Sequence, residues 1–343
     1  MKFNRLLFFV ATALLVFMGS LCFAADFTFK LANVMPPGDH VSLAVDQFAK
    51  IVGEKSSAKI KIETFHGGQL GSGKATYESV QGGFLDIAGD SYANLFTLTP
   101  AFEPFHLPYI FESRNQQLAA FRNPQIRAKI DADLAKVGLK WLMALEYAPR
   151  QIGTAKKDIQ SMDDLKGLKL RASRSPLEIA AQKSWGATGV TVDWPQVPES
   201  LRMGMVDGET VGYDSMFSAK HHVDSIKYVT EINFQSYGVA IVVSTKWWEK
   251  LPEDVKVILT KSAIETEKWH EKMFAKYVND AKKAMIAAGV KVTVPSDSTL
   301  ESFKKAIIEK VWPKFVGESI DADFVKLIQS QVGEKEAGQW FKE

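Results

Sequence analysis

The 343-residue chain has a single cysteine, Cys22, and it falls in an N-terminal segment that reads as removable. Lys2 and Arg5 precede an unbroken apolar run from Leu6 to Met18, and Gly19-Ser20-Leu21-Cys22-Phe23-Ala24 follows. A basic end, an apolar middle and a small-residue end make a secretory signal over residues 1–24, cut after Ala24; the alternative is an uncleaved N-terminal anchor. Leu21 is too large for the small position a lipobox needs before its cysteine. The mature chain then carries no thiol. That excludes disulfides, cysteine-ligated metals and a cysteine nucleophile, and it suits an oxidising compartment.

An excess of one charge is also missing. The signal segment holds two of the 42 basic residues and none of the 40 acidic ones, so the remainder balances at 40 of each. A chain near neutrality gives no footing for a nucleic-acid partner. After residue 24 no apolar run reaches membrane-spanning length, and Val239 to Val243 reads as a buried strand, so no membrane insertion is expected after signal cleavage. A Gly-x-Ser-x-Gly nucleophile elbow is absent. Gly68 to Ala75 approaches a P-loop, but Ala75 stands where a Ser or Thr must hold magnesium, which leaves a turn and a helix start. His221-His222 have no partner at ligand spacing and read as surface histidines. Asp163-Asp164 reads as a helix-start pair. No metal, cofactor or reaction centre is expected.

What the chain does have is alternating α and β pattern. Phe27, Phe29 and Leu31 alternate with polar residues, as do Ile60 and Ile62, and Phe84 to Ala88 reads as a third strand. Helical spacing over Val41 to Val52 and over Thr76 to Gln81 separates them, which implies a mostly parallel sheet. A helix from Asn115 to Lys136 is broken near Pro124, and Leu139 to Leu145 is another strand. A second unit of the same style starts near Arg150, so two lobes with a cleft between them are expected. Beyond Pro252, apolar positions from Val255 to Ala281 recur every three or four residues, predicting one long helix that stops at Gly289.

The most informative stretch surrounds Arg171. Leu168 and Leu170 alternate with Lys169 and Arg171 as in a short half-buried strand. Ser175-Pro176-Leu177-Glu178 then starts a helix, with Ser175 as N-cap, Pro176 at the first position and Glu178 where a capping-box partner belongs. A guanidinium beside helix amides is an anion-attracting combination. Trp194 sits at a similar junction, and Arg150 lies at a crossing between the units, so two arginines could clamp one carboxylate.

These segments, in order, resemble the solute receptors of tripartite ATP-independent periplasmic (TRAP) transporters, the DctP family. The resemblance is carried by His66-Gly67-Gly68-Gln69-Leu70-Gly71, Leu85-Asp86-Ile87, Leu107-Pro108-Tyr109-Ile110-Phe111, Arg150-Gln151, Asp164 to Arg171, Gly204-Met205-Val206-Asp207-Gly208 and Trp247 to Pro252. It implies an α/β, two-lobed periplasmic-binding-protein-like fold with a long helix spanning both lobes. The lobes would comprise residues 25–147 plus 238–277 and residues 148–237 plus 278–343. It also implies a periplasmic monomer that binds a small organic acid and delivers it to membrane permease subunits. Arg171 takes the position of the family's carboxylate-binding arginine, Arg150 that of a second contact, and Trp194 that of a pocket aromatic. Ser91, Tyr92, Val211, Tyr213, Asp214, Tyr237 and Asn33 complete the expected ligand set. Val211 and Val34 stand where sialic-acid-type members have ligand-binding asparagines, so a smaller or more apolar anion than a sugar acid is expected, a carboxylate or else a sulfonate. An exported enzyme acting on anions is the alternative from another class.

Overall fold

The structure, a computed structural model, describes residues 25–331, so the expected signal segment 1–24 lies outside the described residues. Its strands are β1 (Phe27–Ala32), β2 (Ile60–Phe65), β3 (Ile87–Ser91), β4 (Leu139–Glu146), β5 (Gln151–Thr154), β6 (Lys169–Ala172), β7 (Thr188–Thr191), β8 (Gly208–Val211), β9 (Tyr228–Thr230), β10 (Gly238–Ser244) and β11 (Lys291–Thr293). They form two sheets, ordered β2-β1-β3-β10-β4 and β11-β9-β5-β8-β6-β7. In the first, β1 runs parallel to β2 and β3, while β10 inserts antiparallel between β3 and β4. All seven residues of β10 are buried, as a central strand covered on both faces requires. The fold is thus the two-lobed α/β arrangement the sequence pattern implies.

The helices that position the site are α1 (His40–Lys55), α2 (Gly73–Gly82), α3 (Pro124–Ala135), α4 (Pro176–Ser184), α5 (Tyr213–Ser218), α6 (Glu253–Ala287) and α7 (Ala322–Gln329). Helix α6 has 35 residues and so extends about 52 Å at ~1.5 Å per residue. It bridges the lobes. Val255, Leu259 and Ala263 enter the larger core, whereas Phe274, Val278 and Met285 enter a smaller cluster with Tyr213, Met216 and Val229. A buried polar knot fixes its middle. His40 of α1 contacts His270 of α6 through Nδ1 at 2.9 Å and Asp214 of α5 through Nε2 at 3.1 Å. Burial opposes a charge on His40, but Asp39 and Asp214 outweigh it and raise its pKa above the ordinary histidine value.

Three details differ from the sequence pattern. The third strand begins at Ile87 rather than Phe84, because Gly83 closes α2 in a left-handed conformation and the Phe84 amide bonds back to the Ser79 carbonyl. Phe84 is left 89% exposed. The strand that alternation places through Val190 and Val192 ends at Thr191. Helix α7 falls in the stretch expected in the second lobe, yet it packs on α3 and the turn Glu103–His106 beside the first sheet. Its apolar face, Phe324, Val325 and Ile328, finds the larger core there.

Strands β5 and β8 approach too closely at Gly208 for any side chain. A Cβ there would lie 2.3 Å from the Gly153 carbonyl oxygen, and a carbonyl in a sheet cannot step aside. Gly208→Ala should therefore destabilise the protein by about 1–3 kcal/mol, read as a lowered Tm; an unchanged Tm would refute this packing.

Candidate functional site

The chain passes between the two sheets at 147–150 and again at 231–237, and the two crossings bond to each other. Tyr147 N donates to Tyr237 O at 3.1 Å, Arg150 N to Gln235 O at 2.9 Å and Phe234 N to Arg150 O at 3.3 Å. The rings of Tyr147 and Tyr237 stack with centroids 4.6 Å apart. This paired crossing floors a cleft of ≈ 360 Å³. Met35, Asp90, Ser91 and Asn94 form one wall; Tyr147, Arg150, Arg171, Ser173, Trp194, Val211, Ser215 and Tyr237 form the rest.

The two arginines differ in how their charge is met. Arg150 is fully enclosed, with its Nη1 3.2 Å from Glu178 Oε1 and also donating to the Thr210 carbonyl. Its guanidinium carbon lies 4.0 Å from the Tyr237 ring centroid. Glu178 is the hub: it accepts from Ser173 N at 2.9 Å, from Ser173 Oγ at 2.5 Å and from Thr210 Oγ1 at 2.6 Å. The Ser175 hydroxyl caps α4 through the Glu178 amide as the sequence pattern implies. The Glu178 carboxylate, however, reaches the Arg150 neighbourhood instead of closing a capping box.

Arg171 sits at the end of β6, 5% exposed, and its Nε donates to the Val192 carbonyl at 3.0 Å. Its guanidinium carbon is 5.4 Å from the Trp194 ring centroid. Among the described residues no carboxylate pairs with it within 4.0 Å, the salt-bridged arginine of this cleft being Arg150. Burial, with Arg150 nearby, lowers its pKa from the usual guanidinium value, while Glu178 and Glu209 hold it up. A buried cation without a direct ion pair that opens onto a cleft is an anion-binding group.

Across the cleft lies Asp90, on β3 and 3% exposed. Its Oδ1 accepts from Ser91 N at 2.6 Å, and Oδ2 lacks an aligned donor, with the Asn94 amide alongside. Burial pushes its pKa up to about 7, against the pull of the Ser91 amide and Arg171.

Of the residues expected from sequence, Arg171, Arg150, Trp194, Ser91, Val211 and Tyr237 come together around this cleft. Four do not line it. Tyr92 is buried, stacked on Phe102 at 5.3 Å, because a 3₁₀ turn, Tyr92–Leu95, sends Ser91 and Asn94 to one face and Tyr92 to the other. Tyr213 is enclosed with its hydroxyl on Glu231 at 2.9 Å. Asp214 accepts from Ala148 N at 3.0 Å and holds His40. Asn33 ties Met35 N at 2.9 Å and His66 at 2.8 Å. Asp90, Asn94, Ser173 and Ser215 carry no motif, and only the fold brings them here. The histidine pair is also corrected: both are buried, because the short helix that carries them packs back on α5, and His221 Nδ1 lies 2.7 Å from Glu209 Oε1 with its ring 5.0 Å from that of Trp194. Lys74 of the P-loop-like segment pairs with Glu78 at 2.6 Å, and Gly68 abuts Pro195 beside Trp194.

This asymmetry predicts opposite stability effects. Glu178→Ala strands a buried charge on Arg150 and should cost about 3–5 kcal/mol. Arg171→Met removes an uncompensated buried charge and should leave the Tm of the ligand-free protein unchanged or raised. Thermal melts of the two variants check both; equal losses would refute the asymmetry.

The comparisons with known proteins agree with this geometry. A family model described as bacterial extracellular solute-binding protein, family 7 (DctP), matches residues 31–318. The C4-dicarboxylate-binding protein DctB of Bacillus subtilis is 30% identical over 243 residues, 71% of this chain and 69% of its own. The 2,3-diketo-L-gulonate-binding periplasmic protein YiaO of Escherichia coli is 25% identical over 292 residues, 84% of this chain and 88% of its own. Among solved structures, a TRAP periplasmic solute-binding protein of Bradyrhizobium sp. BTAi1, in complex with D-galacturonate, is 27% identical with TM-score 0.83, covering 88% of this chain and 99% of that one. One from Sulfurospirillum deleyianum with bound succinate, at 23% identity, has the same fold, with TM-score 0.83 over 90% of this chain and 100% of that one. With a two-lobed fold, a bridging helix and a buried arginine in the cleft, the chain belongs to the DctP family of TRAP-transporter solute-binding proteins.

Proposed function

We propose that the chain captures a small organic anion by its carboxylate on Arg171 and delivers it to TRAP membrane permease subunits. The single observation that carries this is the buried guanidinium of Arg171, which faces the cleft without an internal carboxylate while its neighbour Arg150 is already neutralised by Glu178. An incoming carboxylate completes the missing pair, at roughly 1.5–3 kcal/mol for a charge-assisted hydrogen bond. Arg150 then acts mainly as a fixed part of the wall, held by Glu178 and the Thr210 carbonyl and covered by Tyr237. Trp194 and Tyr237 offer flat faces to the carbon body of the ligand.

Relatives named for a C4-dicarboxylate and for 2,3-diketo-L-gulonate, and a structure holding galacturonate, support a carboxylate. The expectation of a more apolar ligand rested on Val34 and Val211. Val34 is buried outside the lining, and Asp90, Asn94, Ser173 and Ser215 give the cleft a polar wall that the motif comparison did not reveal. For the mechanism we divide the lobes as residues 25–147 plus 238–277 and 148–237 plus 278–343, with α7 tied back to the first. They open and close about the paired crossings 147–150 and 231–237, and Arg171 and Asp90 approach a common ligand from opposite lobes.

A melting screen of organic acids tests the assignment. A ligand at a hundred times its Kd should stabilise the protein by about 2.7 kcal/mol, and Arg171→Ala should abolish that shift. A shift in Arg171→Ala equal to wild type would overturn the assignment.

A further inference from the structure

We infer that His221 keeps the anion site open by holding Glu209 off Arg171; this rests on the placement of the anion at Arg171. Arg171 of β6 and Glu209 of β8 are register partners on neighbouring parallel strands, so their side chains leave the sheet on the same face. Neighbouring strands stand roughly 4.8 Å apart, within reach of an arginine and a glutamate, and opposite charges at such positions ordinarily pair. Both groups are buried, which strengthens the attraction. Among the described residues the pair nevertheless does not form: Glu209 goes to His221, and Arg171 to the Val192 carbonyl. An internal carboxylate thus stands beside the cation that receives the ligand, a built-in competitor for it.

One bond turns Glu209 away. Its Oε1 lies 2.7 Å from His221 Nδ1, and an ionised carboxylate can only accept, so the imidazole proton sits on Nδ1. The other flank of Glu209 offers nothing polar. Its register partner on β5 is Gly153, and Met216 and Ile226 occupy the space a side chain there would take. Glu209 Oε2 is buried without a hydrogen-bond partner among the described residues, so the carboxylate is held at one oxygen only. Arg171 is fixed through Nε, which leaves its Nη groups for whichever carboxylate reaches them, the ligand's or that of Glu209. Without His221, Glu209 turns to Arg171 and fills the site from within. Apparent affinity then falls in proportion to the fraction of molecules left open. His221 is not part of the cleft lining, so it acts through Glu209 as a positioning residue.

Ligand-free crystal structures and calorimetric titrations with succinate and D-galacturonate test this on wild type, His221→Leu, His221→Asn and the double variant His221→Leu/Glu209→Gln. Leucine fills the imidazole's space without a donor, and asparagine restores a donor near the Nδ1 position. In His221→Leu the Glu209 carboxylate should move to within about 4 Å of the Arg171 guanidinium, as an ion pair requires. A probe that wild type binds should weaken by about tenfold or more, the loss expected when about nine sites in ten are self-occupied. His221→Asn should bind as wild type does, and the double variant should recover the loss because glutamine carries no competing charge. His221→Ala repeats the test if the leucine variant folds poorly. A His221→Leu structure with Glu209 still apart from Arg171 would overturn the proposal. So would a weakened variant that Glu209→Gln does not rescue, the signature of damaged packing alone. Where neither probe binds wild type, the structures decide. None of these results touches the anion assignment, which falls only if wild-type affinity survives in Arg171→Ala.

Discussion

The ion pair between Arg150 and Glu178 sets the character of the whole cleft. Two guanidiniums stand close together in a buried space, an arrangement that would repel itself if both charges were left unmet. Glu178 removes one of them from play. Its carboxylate is saturated by Arg150, Thr210, Ser173 Oγ and Ser173 N, so it cannot turn toward Arg171 without abandoning several short hydrogen bonds. The result is one rigid, ion-paired arginine and one arginine without an internal carboxylate. A folding domain ordinarily avoids the second condition, and a binding site depends on it.

Around that pair, the fold supplies two opposing walls. The crossing segments carry Tyr147, Arg150 and Tyr237, the second sheet carries Arg171 at a strand end, and the first sheet carries Asp90. Helix α6 and the knot of His40, Asp214 and His270 keep elements from both halves in register. Residues of the knot lie outside the cleft lining, so anion recognition and the bracing of the lobes use separate polar groups.

Local pattern made much of this legible. Alternation located β1, β2 and β6, the Ser-Pro start located α4, and three-to-four spacing located α6 almost to its ends. Arg171 could be singled out because a strand end and a helix start flank it within a few residues. What local pattern hides is partnership across the chain. Glu178 fits a capping box by spacing, but its carboxylate goes to Arg150, 28 residues before it, and Thr210, 32 after. His221 pairs with a glutamate on a neighbouring strand that no metal-ligand spacing would propose. Tyr92 looked like a pocket aromatic until the 3₁₀ turn fixed which residues share its face. Asp90 gave no signal at all, because a lone aspartate in a strand acquires meaning only from the arginine facing it.

The most direct test of the central claim is a crystal structure with a bound carboxylate. The account requires the ligand carboxylate on the Nη groups of Arg171, at the 2.7–2.9 Å typical of roughly ideal charge-assisted bonds, with Arg150 still paired to Glu178. A carboxylate seated on Arg150 with Glu178 displaced, or one bound outside the cleft, would contradict it.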